Sequence, residues 1–232
     1  MYDKIYYINL DKRKDRLAEF QRDVIEGLEL DKTKIKRIPA IDTTGFNINE
    51  AGIIGCPLSH LKAWKDIIDN QYSSAIVFED DYLPLTDAAD FHSAMEELYT
   101  CHDATRCGPA GFGVCCLAWS LDGHSIRSQR SPRFWFANDI ATCAGYIITL
   151  EYAKLMYSKI ETSVINMLMG LEMDPNNPGG LKVNDQIYID NALDHAWKEF
   201  QNHTWLISYP RIGKQREGYS DIWNNEIKNN DW

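Results

Sequence analysis

The first eighty residues alternate extended apolar runs with helical patterns, and this alternation restricts the fold more than any other feature of the sequence. The run "KIYYINL" at residues 4–10 predicts a buried strand. Leu17, Phe20, Val24 and Leu28 then recur at helical spacing. Strands that are apolar throughout and alternate with helices are typical of a parallel sheet covered by helices. The sequence therefore predicts an α/β fold.

The same alternation continues to the middle of the chain. A second strand is expected at "IKRIPAI", residues 35–41, and a third at "AIVF", residues 75–78. Between them, residues 42–55 predict a loop by their Gly, Asn and Asp content, and Pro57 suits the first position of a helix. A chain of 232 residues suits one domain, 1–232.

Charge and hydropathy exclude several classes of partner. The formal net charge is −10 and the pI is about 5.0, so nucleic acid and anionic membranes are not expected partners. No apolar run is long enough for a transmembrane helix, and the charged start "MYDKIYYINLDKRKDR" is unlike a signal peptide. We therefore expect a soluble, unsecreted, cytoplasmic protein without a transmembrane segment.

Five potential zinc ligands lie within sixteen residues: Cys101, His102, Cys107, Cys115 and Cys116. Their spacing contains no Cys-x2-Cys knuckle, and adjacent cysteines on a strand point to opposite faces. We therefore expect packed thiols here rather than a zinc site.

Three consecutive carboxylates, Glu79, Asp80 and Asp81, follow the strand "AIVF" directly. Ligands bind outside the carboxyl ends of parallel strands, so this is a candidate site. Crowded carboxylates repel one another, and a hard divalent cation would relieve the repulsion. An exposed acidic turn after a strand explains the triplet equally well.

Two further patterns predict an anion-binding surface nearby. Lys12, Arg13, Lys14 and Arg16 crowd the start of the first helix, where the helix dipole disfavours cations unless an anion is present. In "GIIGCPLSH", residues 52–60, two glycines precede a serine and a histidine. Glycine permits close approach to a ligand, while the two side chains offer directional hydrogen bonds.

In this order, the motifs "INLDKRKDR", "RIPAID", "GIIGCPLSHLKAWKDII" and "AIVFEDD" resemble glycosyltransferase family 25. That family includes bacterial lipooligosaccharide galactosyltransferases and collagen galactosyltransferases. The resemblance continues into "CAGYIIT" and, more loosely, into "VNDQ" and "PRIGKQREGYSDI". It implies a single GT-A type domain, 1–232, with a Rossmann-like, mostly parallel sheet flanked by helices. Within it, residues 1–85 would form the nucleotide-binding half and residues 86–232 the acceptor-side half.

The resemblance also implies a reaction and a cofactor. The expected activity is transfer of galactose or glucose, with inversion, from a UDP-sugar donor to a glycan or glycoconjugate acceptor. Asp81 would bind Mn2+ or Mg2+, with Asp80 or Glu79 assisting at the metal or the ribose. The cation would neutralise the departing diphosphate.

The family's site residues can be carried over onto this sequence. Asn9, Arg13, Arg16, Ala40 and Asp42 would contact the nucleotide. Ser59 and His60 would face the donor, and Gly145 and Tyr146 would shape the pocket.

An inverting displacement needs a general base on the acceptor side, and Asp185 of "NDQ" is the candidate. Asp190, Asp194 and Asp221 are alternatives, and Asp185 would equally suit the first turn of a helix without any catalytic role. In the tail, Arg211, Lys214 and Arg216 are candidates to fold over a bound diphosphate, and a solvated basic tail is the alternative.

Two other functions remain open from the sequence. A sugar nucleotidyltransferase would carry a Gly-rich phosphate loop after the first strand, but "INLDKRKDR" contains no glycine. A noncatalytic domain that binds a nucleotide sugar or a glycan has no residue signature that separates it from an enzyme.

Overall fold

The computed structural model describes residues 1–100, 111–121, 126–201, 204–221 and 225–227, and the strands and helices below lie within them. Their strands are β1 (Lys4–Asn9), β2 (Ile35–Pro39), β3 (Ser74–Glu79), β4 (Tyr82–Pro84), β5 (Val114–Cys116), β6 (Ser120–Leu121), β7 (Ile126–Gln129), β8 (Phe134–Ala137), β9 (Ile140–Ala141), β10 (Gly145–Thr149), β11 (Leu171–Met173), β12 (Leu181–Val183), β13 (Trp205–Ser208), β14 (Gly213–Gln215), β15 (Gly218–Ser220) and β16 (Asn225–Ile227).

The helices are α1 (Lys14–Phe20), α2 (Gly52–Asp69), α3 (Ala88–Thr100), α4 (Leu150–Met169), α5 (Asp185–Asn191) and α6 (Leu193–Ala196). A π-helical segment, Gln21–Glu26, continues α1, and short 3-10 helices lie at Lys32–Lys34 and Trp197–Phe200. None of the helices in the described ranges is long and apolar enough to cross a lipid bilayer.

Eight strands form the central sheet in the order β2-β1-β3-β10-β5-β13-β8-β7. The pairs β1–β2, β1–β3 and β5–β13 are parallel, while β10 and β8 pair antiparallel with both of their neighbours. Six of the eight strands therefore run in one direction. The expected α/β class, with a mostly parallel sheet, is confirmed, and β10 and β8 are the two reversed strands.

Helices cover both faces of the sheet, and each face has its own apolar core. On one face, α2 and α4 pack through residues such as Trp64 and Met156, which are fully buried. On the other, α1 with its π-helical extension and α3 contribute Phe20 and Phe91. These helices supply the apolar area whose burial stabilises the fold.

The two cysteines of β5 lie on opposite faces, as expected for neighbours on a strand. Cys115 belongs to one core and Cys116 to the other, and both are fully buried. The prediction of packed thiols is confirmed for this pair. Cys101, His102 and Cys107 lie outside the described residues.

Helix α2 begins at Gly52, so the predicted start near Pro57 is wrong. The additional turn buries Ile53 and Ile54, which are 8% and 1% exposed, in the core. Pro57 consequently lies inside the helix, where it forfeits one backbone hydrogen bond. Burial of the two isoleucines therefore outweighs the start signal that the proline provides.

The chain returns late in the sequence to the edge where the acidic triplet lies. Strand β14 pairs antiparallel with β4, which places Gln215 opposite Tyr82. In addition, the backbone N–H of Arg216 donates to the backbone oxygen of Asp81 at 2.6 Å. The segment after Ile212 thus forms part of the wall around the triplet.

Candidate functional site

An open cleft lies at the carboxyl ends of β1 and β3. Open α/β sheets bind their ligands at this position. The cleft brings together nine of the residues predicted from sequence: Asn9, Arg16, Ala40, Asp42, Ser59, His60, Glu79, Asp80 and Asp81.

Four predicted site residues lie elsewhere. Arg13 does not line the cleft, but forms an ion pair with Asp221, which does. Gly145 packs against the ring of Tyr82, so closely that a Cβ atom at residue 145 would lie 2.5 Å from that ring. Tyr146 is fully buried behind His60, and Asp185 starts helix α5.

Asp80 is held at the strand end by two donors. The Nδ2 of Asn9, the last residue of β1, donates to Asp80 Oδ2 at 2.7 Å, and Arg16 Nη1 donates to Oδ1 at 3.0 Å. The residue is only 7% exposed. Burial raises the pKa of Asp80 above its usual range, against the opposing effect of Arg16.

Within the described ranges, the carboxyl group of Asp81 has hydrogen-bond donors on one of its two oxygens only. Its Oδ2 accepts from Arg16 at 3.3 Å and from Gln215 Nε2 at 3.1 Å. Its Oδ1 is buried and accepts no hydrogen bond from the described residues. Burial, reinforced by the charge of Glu79, raises the pKa of Asp81 to about 7. A buried acceptor without a donor is costly, and a cation at Oδ1 would satisfy it.

Glu79 lies at the end of β3 and interacts with helix α2 rather than with Arg16. Its Oε1 lies 3.0 Å from His60 Nε2 and 3.6 Å from Cys56 Sγ. Burial alone would lower the pKa of His60, but the Cys56 thiol and the Glu79 carboxylate raise it to about 9. In the absence of metal, the pairing with Glu79 therefore favours the charged form of His60.

A buried hydroxyl fixes the other side of the His60 ring. His60 Nδ1 lies 2.7 Å from the hydroxyl oxygen of Tyr146, which also accepts from Trp64 Nε1 at 2.9 Å. All three side chains are fully buried. Tyr146 therefore orients His60 from behind instead of lining the cleft.

Ser59 connects α2 to the opposite wall. Its hydroxyl donates to the backbone oxygen of Gly55 at 2.6 Å and accepts from the backbone N–H of Ile41 at 2.9 Å. A Cβ atom at Gly55 would lie 2.7 Å from the Ile41 oxygen, so only glycine permits this close approach. These contacts position Ala40 and Asp42 at the cleft.

The basic residues near the start of α1 divide between the cleft and solvent. Arg16 enters the cleft, and its Nη2 also donates to the backbone oxygen of Tyr219 at 2.7 Å. Lys12 reaches Asp42 at 3.3 Å, while Lys14 is exposed. The cleft thus carries positive charge opposite the acidic triplet.

A second pocket adjoins the cleft and shares Cys56, Glu79, Gln215 and Ser220 with it. Asp194, one of the alternative bases, lines this second pocket. Asp185 lines neither; its side chain is 86% exposed and lies 3.3 Å from Lys182 Nζ. The role of Asp185 as a base stays a prediction.

Sequence reasoning missed Cys56, Cys143 and Gln215. The four-residue spacing of Cys56 and His60, which places both on one helix face, was a usable signal. Gln215 offered none, because its contact with Asp81 spans 134 residues. The side chain of Arg216, a candidate to fold over a bound diphosphate, pairs with Asp23 at 2.5 Å.

Comparison with known proteins agrees with the motifs. Residues 2–105 match the model of "Glycosyltransferase family 25 (LPS biosynthesis protein)". Procollagen galactosyltransferase 2 of Mus musculus and that of Homo sapiens are both 29% identical to this chain over 102 aligned residues. The aligned region covers 34% of this chain. The aligned region covers only 16% of either relative.

Two solved structures overlap weakly with the fold. The crystal structure of A197 from STIV covers 98% of both chains at 11% identity with a TM-score of 0.42. A glycosyltransferase involved in the glycosylation of the major capsid of PBCV-1 covers 89% of this chain and 92% of its own, at 10% identity and a TM-score of 0.37. Structural similarity this weak supports no conclusion about the site.

The family match contains most of the cleft, since only Gln215, Ser220 and Asp221 of its lining residues lie beyond residue 105. Residues 2–105 of this chain are thus similar to glycosyltransferase family 25, as the motifs predict.

Proposed function

We propose that this protein is a metal-dependent, inverting glycosyltransferase that moves a hexose from a UDP-sugar to a hydroxyl group of a glycan or glycoconjugate. One observation carries the proposal: two buried carboxylates, Asp80 and Asp81, adjoin Arg16 in a cleft at the strand ends. The match of residues 2–105 to a glycosyltransferase family supports it.

The oxygens of Asp80 and Asp81 suit a hard divalent cation such as Mn2+ or Mg2+. The free Oδ1 of Asp81 is the ligand atom that such an ion would use first. When bound, the ion would supply charge neutralisation for the diphosphate leaving group.

The chain's own residues would bind and orient the donor. Arg16 is always charged and forms bidentate contacts to phosphate readily, so it would pair with the diphosphate. Asn9 holds Asp80 in place, while Ala40 and Asp42 form the wall for the nucleotide. Donor sugars to test first are galactose and glucose, and the name of the mammalian relatives favours galactose.

The adjoining pocket would take the acceptor, because it meets the cleft at Glu79 and Gln215. A base in this pocket would accept the proton of the attacking hydroxyl. Asp185 remains a candidate from sequence, while the position of Asp194 on the pocket wall supports Asp194. Comparing Asp185→Asn with Asp194→Asn under saturating donor separates the two.

A donor panel tests the proposal. The protein is incubated with UDP-galactose, UDP-glucose and other UDP-sugars in Mn2+, and release of UDP is measured with and without EDTA. Loss of turnover in EDTA and in Asp81→Asn is expected. Asp69→Asn is the control, because Asp69 is exposed and pairs with Lys65. Equal turnover in EDTA and in Asp81→Asn would refute metal dependence, and UDP-sugar binding without turnover on any acceptor would indicate a binding domain.

A further inference from the structure

Four potential metal ligands converge at the boundary between the cleft and the adjoining pocket: Cys56, His60, Glu79 and Cys143. Their ligand atoms all lie within 4.8 Å of one another. Two pairs are closer, since Glu79 Oε1 lies 3.0 Å from His60 Nε2 and 3.6 Å from Cys56 Sγ. Ligand atoms around tetrahedral Zn2+ stand about 3.3–3.8 Å apart, given bonds of about 2.0–2.3 Å to the metal. Small side-chain adjustments would therefore close the four ligands on one ion.

Local structure accounts for the convergence. Cys56 and His60 are four residues apart in α2, so both face the sheet from one side of the helix. Glu79 ends β3, and its backbone N–H donates to the oxygen of Ala144 at 2.9 Å. That bond places Cys143, the preceding residue, beside the end of β3. Three separate segments thus deliver the four side chains.

We propose that these four side chains bind Zn2+ in a closed, tetrahedral site. Two thiolates, an imidazole and a carboxylate favour zinc over Mn2+ or Mg2+, which prefer oxygen ligands throughout. The site is therefore chemically distinct from the pair Asp80 and Asp81. The proposal does not depend on the transfer reaction proposed above.

Surrounding residues complete the features expected of a zinc site. Because Nδ1 of His60 contacts the hydroxyl of Tyr146, Nε2 is the atom left for the metal. Such an outer hydrogen bond normally fixes the orientation of a ligating histidine. The ion also has an entry path, since Cys56 and Glu79 line both pockets, His60 lines the cleft and Cys143 lines the second pocket.

Bound zinc would join α2 to the end of β3 and to the segment that leads into β10. It would thereby fix the wall that the donor cleft shares with the adjoining pocket. Glu79 would then serve the zinc ion, leaving Asp80 and Asp81 to the hard cation.

The test uses the full chain under reducing conditions, without any donor. Zinc content is measured after dialysis, and the metal-free protein is then titrated with Co2+. We expect one zinc ion per chain after dialysis and, in the titration, a thiolate-to-cobalt charge-transfer band in the near ultraviolet, which added Zn2+ abolishes. A Co2+ spectrum without thiolate bands would overturn the proposal.

Variants localise the ion. Cys56→Ala and Cys143→Ala should each weaken Zn2+ binding at least about 10–100-fold, the loss usual for outer-sphere partners alone. Cys116→Ala is the matched control, because Cys116 is a fully buried thiol outside the four-residue cluster. Circular dichroism on the metal-free variants establishes that they fold. Zinc binding of Cys56→Ala and Cys143→Ala equal to wild type would contradict the assignment.

A further variant separates this site from the hard-cation site. Asp81→Asn should leave the Co2+ thiolate bands unchanged while abolishing donor turnover. Loss of those bands in Asp81→Asn would show that the two groups form one site and would overturn the proposal.

Discussion

Arg16 Nη1 lies 3.0 Å from Asp80 Oδ1 inside the cleft, where the two side chains are 15% and 9% exposed. The same guanidinium lies 3.3 Å from Asp81 Oδ2. Arg16 therefore occupies the neighbourhood in which the proposed cation would bind. Its positive charge disfavours binding of the cation but favours binding of the diphosphate.

Replacing Arg16 should accordingly have opposite effects on the two ligands. In Arg16→Ala, Mn2+ should bind about tenfold more tightly in the absence of nucleotide, because the positive charge that repels it is removed. A neighbouring cation of this kind shifts the pKa of a carboxyl group by about one to three units, which sets the scale of the effect. UDP should bind about 10–100-fold more weakly, because a charge-assisted hydrogen bond contributes about 1.5–3 kcal/mol. Isothermal titration calorimetry measures both affinities.

Arg22→Ala is the matched control for this prediction. Arg22 lies on the same helical segment but is 65% exposed and pairs with Asp23, away from the cleft. Both affinities should remain at the wild-type value. If Arg16→Ala weakened Mn2+ and UDP together, the charge argument would be wrong.

The raised pKa of Asp81 predicts a stability gain on neutralisation. Burial, together with the charge of Glu79, moves this pKa from 3.8 to about 7. A raised carboxyl pKa means that the fold favours the protonated form, so stability is full below the unfolded pKa and is lost as pH rises towards 7. Without metal at pH 8, Asp81→Asn should therefore be more stable than wild type by about 2 kcal/mol or more, since one pKa unit is about 1.4 kcal/mol.

Thermal unfolding in EDTA checks this gain. It should appear as a rise of about 4–8 °C at pH 8 and shrink by about half or more at pH 5. Mn2+ should then stabilise wild type but not Asp81→Asn. Asp69→Asn, which alters an exposed carboxylate, should show no such gain. A metal-free Asp81→Asn protein less stable than wild type at pH 8 would contradict the burial argument.

The parts of the fold that were predictable have local causes. Strands β1 and β3 follow from continuous apolar runs, and the position of Asp80 and Asp81 follows from their place after β3. The contact of Gln215 with Asp81 and the approach of Cys143 to Glu79 depend on pairing between distant segments. No periodicity within a short window encodes such pairing, so these residues became visible only in the fold.

Gly145 has a packing role that predicts the effect of adding a methyl group. The fully buried ring of Tyr82 packs against both Gly145 and Gly213, where Cβ atoms would meet it at 2.5 and 2.2 Å. Because the ring is fully buried in a close-packed core, its neighbours oppose any displacement. Gly145→Ala should therefore destabilise the fold by about 1–3 kcal/mol. The melting temperature should fall by about 2–4 °C per kcal/mol.

The control for this substitution is Gly45→Ala, because a Cβ atom at Gly45 would meet nothing within 4 Å. Its melting temperature should stay at the wild-type value. Because Tyr82 directly follows Asp81, Gly145→Ala should also weaken Mn2+ binding. Unchanged stability of Gly145→Ala would mean that the Tyr82 ring is not held tightly against Gly145.

Tyr146→Phe removes the hydroxyl that joins Trp64 to His60. The indole N–H of Trp64 would then be buried without an acceptor, at a cost of about 1–3 kcal/mol measured by urea unfolding of the metal-free protein. If His60 ligates zinc as proposed, loss of its outer hydrogen bond should also weaken Co2+ binding about 10–100-fold. Tyr99→Phe is the control, because the Tyr99 hydroxyl lies 2.7 Å from Ser74 Oγ and Tyr99 lies outside the zinc cluster. It should leave Co2+ affinity unchanged. A Tyr146→Phe protein that lost stability yet kept full Co2+ affinity would confine Tyr146 to a packing role.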